Sequence, residues 1–357
     1  MSSGAQTVNR KCVVFPVFLT LIAGAQGAAP ASAIVCASCH RAESLTQPST
    51  SMGHALEAVA DCTILRSNPK LALRHGAYSY QIVREGDRSI YSVSDGHQTL
   101  TVPIAWAFGL GSAGQTYVYQ WNGHWYESSI SYFRVLRGAD LTLGFRSRSP
   151  RNLEEAAGRI MTLPETRDCF NCHATNAVHQ GRLQFERLLP GVQCQRCHGE
   201  AATHMEAMKT GDVKRAAMPQ LGKLTNDQLS DFCGQCHRTW AQINMNGPHD
   251  INNIRFQPYR LTNSKCYDAS DRRISCTACH DPHREVEHRA EAYDAKCLAC
   301  HGTAGRTAGT KPVMNHCPVS LKDCVTCHMP KYELEGAHNR FTDHQIRIVR
   351  TGELYPG

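Results

Sequence analysis

Seven times along this chain, two cysteines stand three positions apart and a histidine follows the second directly. The copies are Cys36, Cys39 and His40; Cys169, Cys172 and His173; Cys194, Cys197 and His198; Cys233, Cys236 and His237; Cys276, Cys279 and His280; Cys297, Cys300 and His301; and Cys324, Cys327 and His328. The last six fall within 160 residues, with starts 25, 39, 43, 21 and 27 residues apart. Spacing so uneven excludes a solenoid of the strict sequence-repeat kind. The constraint is local instead: each copy must arrange two thiols and an imidazole around one object.

Residues three apart share one face of a helical turn. Two thiols there can add across the two vinyl groups of a single porphyrin, and the adjacent histidine then sits under the iron. Cys-x-x-Cys-His is the attachment sequence for c-type haem. Zinc ribbons also use paired Cys-x-x-Cys units, but they do not require histidine in the fifth place of every copy. Seven covalently attached haem c groups are therefore expected.

The rest of the cysteines fit an oxidising compartment. Arg10 and Lys11, an apolar run over residues 12–25 and Ala31-Ser32-Ala33 read as a secretory signal peptide over residues 1–33. The apolar run is too short to span a membrane, and the mature protein is expected to be exported, periplasmic or extracellular. Fourteen of the 18 cysteines lie in the motifs and Cys12 in the leader. Cys62, Cys266 and Cys317 remain, with Cys266–Cys317 the candidate disulfide and Cys62 a buried or free thiol.

The formal charge of +7 does not imply nucleic acid as a partner. Without Arg10 and Lys11 the balance is 36 basic to 31 acidic residues, or +5. Each ferric haem with two ionised propionates adds −1 and each ferrous haem −2, so seven take the total to about −2 or −9. The basic polypeptide compensates its own cofactors.

Along the mature chain, residues 34–75 form an N-terminal single-haem segment with a helix candidate over residues 53–60. Residues 76–150 carry an antiparallel β insert and linker. Alternating β-formers there are broken by Glu85-Gly86-Asp87, Asp95-Gly96 and Asn122-Gly123, which are hairpin signals. Four or five strands are expected, with Tyr117, Tyr119, Trp121, Trp125, Tyr126, Tyr132 and Phe133 packing one face on the haem region or docking a partner. Residues 151–357 form a six-haem domain with helix candidates over residues 152–161, 201–209, 225–233 and 285–295. The expected fold is mostly α and irregular, a multihaem cytochrome c fold built around covalent haems, with the β-sheet inserted between haems 1 and 2.

Nineteen histidines less the seven in the motifs leave twelve for up to seven distal positions. His204, His249, His283, His316 and His344 are the leading distal candidates, and His179 and His54 complete the set. His288 and His338 are reserves, whereas His75, His97 and His124 belong to the sheet. Met52 is an alternative ligand for the first haem.

Several stretches carry a family resemblance: SMGH at 51–54, GLGSAGQTYV at 109–118, WYESSISY at 125–132, CFNCHA at 169–174, GVQCQRCHGEAATH at 191–204, SCTACHDPH at 275–283, CVTCHMPK at 324–331 and HNRFTDHQI at 338–346. In these the chain resembles the bacterial multihaem cytochromes of the superfamily that includes the nitrifier tetrahaem cytochrome and hydroxylamine oxidoreductase. The resemblance implies electron transfer outside the cytoplasmic membrane. Members often continue into tetratricopeptide repeats, which are not expected in a sequence ending thirteen residues past His344.

Three functions are compatible with this reading. The leading one is an electron carrier or conduit between redox proteins through mostly bis-histidine haems, with no membrane span. The alternative is an oxidoreductase for a small nitrogen or sulfur oxyanion at one open haem. No Cys-x-x-Cys-Lys variant, the mark of the nitrite reductases, supports it. Self-assembly through the first haem and the aromatic sheet is the third.

Overall fold

The computed structural model describes residues 36–302, 317–350 and 352–356. The expected leader and His316 lie outside the described residues. The dominant element is a nine-stranded antiparallel sheet, which overturns the expected mostly α fold with a small insert. Its main path runs in sequence order through β2 (Lys70–His75), β3 (Tyr78–Glu85), β4 (Arg88–Ser94), β5 (Thr99–Phe108), β6 (Gln115–Trp121), β7 (His124–Phe133) and β8 (Gly138–Leu141). The path curls until β2 and β8 meet, so the sheet nearly closes.

Two long strands make the curl possible. The first half of β5 pairs with β4 and the second half with β6, with a register shift between Ile104 and Trp106. β7 has a similar shift against β6. Bulges of this kind bend and twist a strand. The edges they free are taken by β1 (Leu56–Ala58), paired to β5, and β9 (Gly158–Ile160), paired to β7.

The hairpin signals hold. Asn122 and Gly123 both have positive φ, 46° and 77°, as the two-residue turn between β6 and β7 requires. Four strands were not legible. The expected helix over residues 53–60 is a turn followed by β1, because pairing with β5 overrides the helical preference of its alanines. The helix expected over 152–161 is capped by Asn152 and stops at Ala157, and Gly158 enters β9. The helix expected over 285–295 is replaced by irregular chain and a short turn before helix Asp294–His301.

The sheet encloses its own core, so apolar packing is not left to cofactors in this half of the chain. Tyr80, Tyr91, Tyr117, Tyr119, Tyr126 and Ile130 are buried in one cluster. A second cluster lies on the outside of the sheet, where Trp106, Phe108 and Trp125 pack around the fully buried Phe170. Phe170 sits inside the second motif, so this sheet face does cover a haem-binding helix. Tyr117, Tyr119, Tyr126 and Tyr132 point into the core rather than to a partner, and Phe133 is buried against His338.

Beyond residue 190 the described chain is short helices and loops, with one short hairpin of strands Lys331–Glu333 and Arg340–Thr342. Cys266 and Cys317 are both free, so the candidate disulfide is not formed, and Cys62 is a buried thiol as expected.

Candidate haem sites

All seven motifs adopt helical geometry. Helix Leu163–His173 starts on a capping box of Thr162 and Glu165, with Pro164 in its first turn, and ends on the second motif. Helix Asn226–His237 starts on the equivalent Thr225 and Gln228 box and ends on the fourth. Each box satisfies two orphan backbone donors. Helices Cys194–His198, Cys276–Cys279, Asp294–His301 and Cys324–His328 carry the third, fifth, sixth and seventh. In the first, the His40 amide donates to the Cys36 carbonyl at 2.8 Å, a single helical turn. All fourteen motif thiols are free of disulfides.

The histidine rings test whether haem fits. Three motif histidines face a histidine from elsewhere: His40 and His204 with ring centres 6.4 Å apart, His198 and His283 at 6.1 Å, and His280 and His344 at 6.2 Å. Two imidazoles in line on one metal need about 2 Å for each nitrogen–metal bond and roughly 1 Å more from each nitrogen to its ring centre. Their centres then stand about 6 Å apart. The spacing fits a metal held between two imidazoles. Among the described residues no three or more His, Cys, Asp or Glu converge as a metal cluster, as a zinc ribbon would require.

The other ring nitrogens are occupied in a consistent way. Nδ1 of His204 lies 2.6 Å from the Ala216 carbonyl and Nδ1 of His344 lies 3.0 Å from that of Thr342. Nδ1 of His173 meets Ala55 O at 3.0 Å and Nδ1 of His328 meets Arg347 O at 2.9 Å. Nδ1 of His283 is on the Asp281 carboxylate and Nδ1 of His54 on that of Glu57. An imidazole whose Nδ1–H is so engaged presents Nε2 to a metal, and the partner fixes ring orientation. Burial lowers His173, His198, His237 and His280 and brings His344 down to about 4, holding the neutral, ligating form.

His338 differs. Its Nε2 is bonded to Asp140 at 2.7 Å and its ring lies on Phe133, so it clasps the C-terminal hairpin to the sheet. His179 and His249 are exposed, and no ring pairing brings them to a motif. His75 and His124 lie in β2 and β7, and His97 in the Asp95 turn. The carbonyls of Ala55, Ala216, Thr342 and Arg347 were invisible to sequence reasoning, since any residue supplies one.

Motifs far apart in sequence are neighbours. Cys36 lies within hydrogen-bonding reach of Cys194, Cys172 of Cys236, Cys233 of Cys276 and Cys297 of Cys324. The first motif thus adjoins the third, and the fourth touches both the second and the fifth. Asp294, at the start of the sixth motif's helix, accepts from the Asp323 and Cys324 amides at 2.8 and 2.9 Å and ties the last two motifs together. The Ser51 amide and hydroxyl bond Glu285, two residues after His283, which binds the N-terminal segment to the third site.

A chain of repeated haem-attachment motifs with facing imidazoles between them is a multihaem c-type cytochrome. The family described as "Cytochrome c554 and c-prime" matches residues 145–199, which include the second and third motifs. The chain is also similar to the multiheme cytochrome MtrA of Shewanella baltica (strain OS185), 22% identical over 183 residues, covering 46% of this chain and 52% of that protein. The chain therefore spans about half the length of that curated relative. No solved structure matches it.

Proposed function

We propose that this protein is an exported seven-haem c-type cytochrome that passes electrons between redox partner proteins. Haem iron, when bound, supplies the one-electron chemistry; the chain supplies attachment, axial ligands and burial. The observation that carries the reading is the three imidazole pairs at 6.1–6.4 Å, which support His204 as the distal partner of the first haem, His283 of the third and His344 of the fifth. An iron held on both sides has no position for substrate, which suits a carrier better than an oxyanion oxidoreductase. The neighbouring motif thiols support three adjacent groups, haems 1 and 3, haems 2, 4 and 5, and haems 6 and 7. Among the described residues no helix is long and apolar enough to cross a membrane. The resemblance to the superfamily of the nitrifier tetrahaem cytochrome and hydroxylamine oxidoreductase is consistent with transfer outside the cytoplasmic membrane.

Haem quantitation by pyridine haemochrome, with EPR of the oxidised holoprotein, tests this. Seven haems and a spectrum dominated by low-spin iron are expected. A spectrum dominated by high-spin iron would overturn the carrier and favour turnover at open haems.

A further inference from the structure

One surface feature lies outside the haem sites. A groove of about 750 Å³ separates the β7–β8 turn of the sheet from the C-terminal hairpin of strands Lys331–Glu333 and Arg340–Thr342. Its walls carry Arg134, Lys331 and Arg340, with Glu333 as the acidic lining residue. Between the arginines of the turn, Arg134 and Arg137, Val135 and Leu136 stand 68% and 47% exposed. The walls are fixed relative to each other, because His338 of the hairpin bonds Asp140 of β8 and Arg146 closes on the same carboxylate. Arg134 and Arg340 are themselves oriented by bonds to the Leu110 and Lys331 carbonyls, both 2.9 Å.

We propose that this groove docks an acidic redox protein beside the last haem. Exposed aliphatic side chains beside a predominantly basic rim make the apolar centre and charged edge of a transient interface. The positive sign stands out against a holoprotein whose propionates leave it near neutral or negative, so an acidic partner is steered here rather than elsewhere. The hairpin's first strand starts three residues after His328, and the Pro330 carbonyl accepts the Asp343 amide, so a docked protein rests on the backbone that carries the seventh motif. The inference rests on the electron-transfer reading above.

The test uses the holoprotein and three variants with unchanged haem content. They are Arg134→Glu/Lys331→Glu/Arg340→Glu in the groove, Lys209→Glu/Lys214→Glu/Lys223→Glu as a control of equal net charge, and Val135→Ser/Leu136→Ser. A small acidic flavodoxin-type protein serves as the probe, its binding followed by titration and its electron transfer by stopped flow at low and high salt. Groove charge reversal should weaken binding and slow transfer by about tenfold or more at low salt, and the serine variant should weaken binding at both salts. The lysine control should change either by less than about threefold. Equal losses in groove and control variants, no loss, or binding to anionic lipid vesicles in place of the acidic protein would overturn the proposal. Dithionite separates the two readings: incomplete haem reduction would sink the carrier, whereas full reduction with no groove effect would sink only the docking site.

Discussion

Arg260 and Asp343, 83 residues apart, form a two-pronged ion pair in the interior, with Nε to Oδ1 and Nη2 to Oδ2 both at 2.9 Å. The side chains are 1% and 0% exposed. Arg260 Nη1 also donates to the Pro356 carbonyl at 2.8 Å, and Arg347 Nη1 donates to Asp343 at 2.6 Å. Asp343 is adjacent to His344, so the pair fixes the segment that faces His280.

Removing one member should expose the cost of the other. Asp343→Ala leaves a buried guanidinium without its carboxylate and is expected to cost about 3–5 kcal/mol, read as a lower urea midpoint. Arg260→Met with Asp343→Leu removes both charges and should recover much of that loss. A double variant no more stable than Asp343→Ala would show that the pair stabilises beyond charge compensation.

The facing rings predict which histidines matter to the iron. His204→Ala should leave haem content intact and convert about one iron to high spin in the oxidised EPR spectrum, by loss of one axial ligand. His338→Ala should not, because its Nε2 is committed to Asp140. Equal spectra for the two variants would remove the assignment of His204 to the first haem.

Cys62 makes the sheet sensitive to alkali. Burial pushes its thiol up to about 12 from an ordinary 9.0, and the side chain is fully enclosed with Sγ 3.2 Å from Gln115 Oε1. A folded-state pKa raised above the unfolded one adds stability that is complete below pH 9 and is lost as pH rises towards 12. Tyr80, also pushed up by burial to about 12, adds to the loss at its upper end. Urea midpoints taken from pH 8 to 11 should fall for the wild type and fall less steeply for Cys62→Ala. Native protein should react with maleimide at Cys266, and at Cys62 only after denaturation.

Locally coded elements were legible in the sequence and long-range ones were not. The haem motifs, the five strands β3 to β7 and the helix starts near residues 152 and 225 could be read because each is coded within a few residues. β1, β2, β8 and β9 could not: β1, β8 and β9, of three or four residues, exist only through their partners in β5 and β7, and β2 through its pairing with β3. The near closure of the sheet rests on register shifts at Ile104 and Thr116, which have no local signature. His204, His283 and His344 were named as distal candidates, but which iron each faces is a long-range fact. His204 lies six residues from His198 yet faces His40.

Two glycines with the same backbone angle separate local strain from close approach. Gly191 and Gly211 both have φ of +73°. Gly211 ends helix Ala202–Thr210 as a left-handed cap, and a Cβ there meets nothing within 4 Å. Gly211→Ala should therefore cost only the left-handed penalty of about 1–2 kcal/mol. At Gly191 a Cβ would lie 1.8 Å from the Gly53 carbonyl oxygen, which is backbone and cannot rotate away. Gly191→Ala must push apart the loop before the third motif and the loop before His54, where Val192 N bonds Met52 O and Gln47 bonds Val192 O. It should cost clearly more than Gly211→Ala in urea denaturation, and the low-spin EPR signals of haems 1 and 3 should broaden or shift. Equal costs for the two variants would mean that the N-terminal segment yields freely, and that its docking on the third site adds little to the fold.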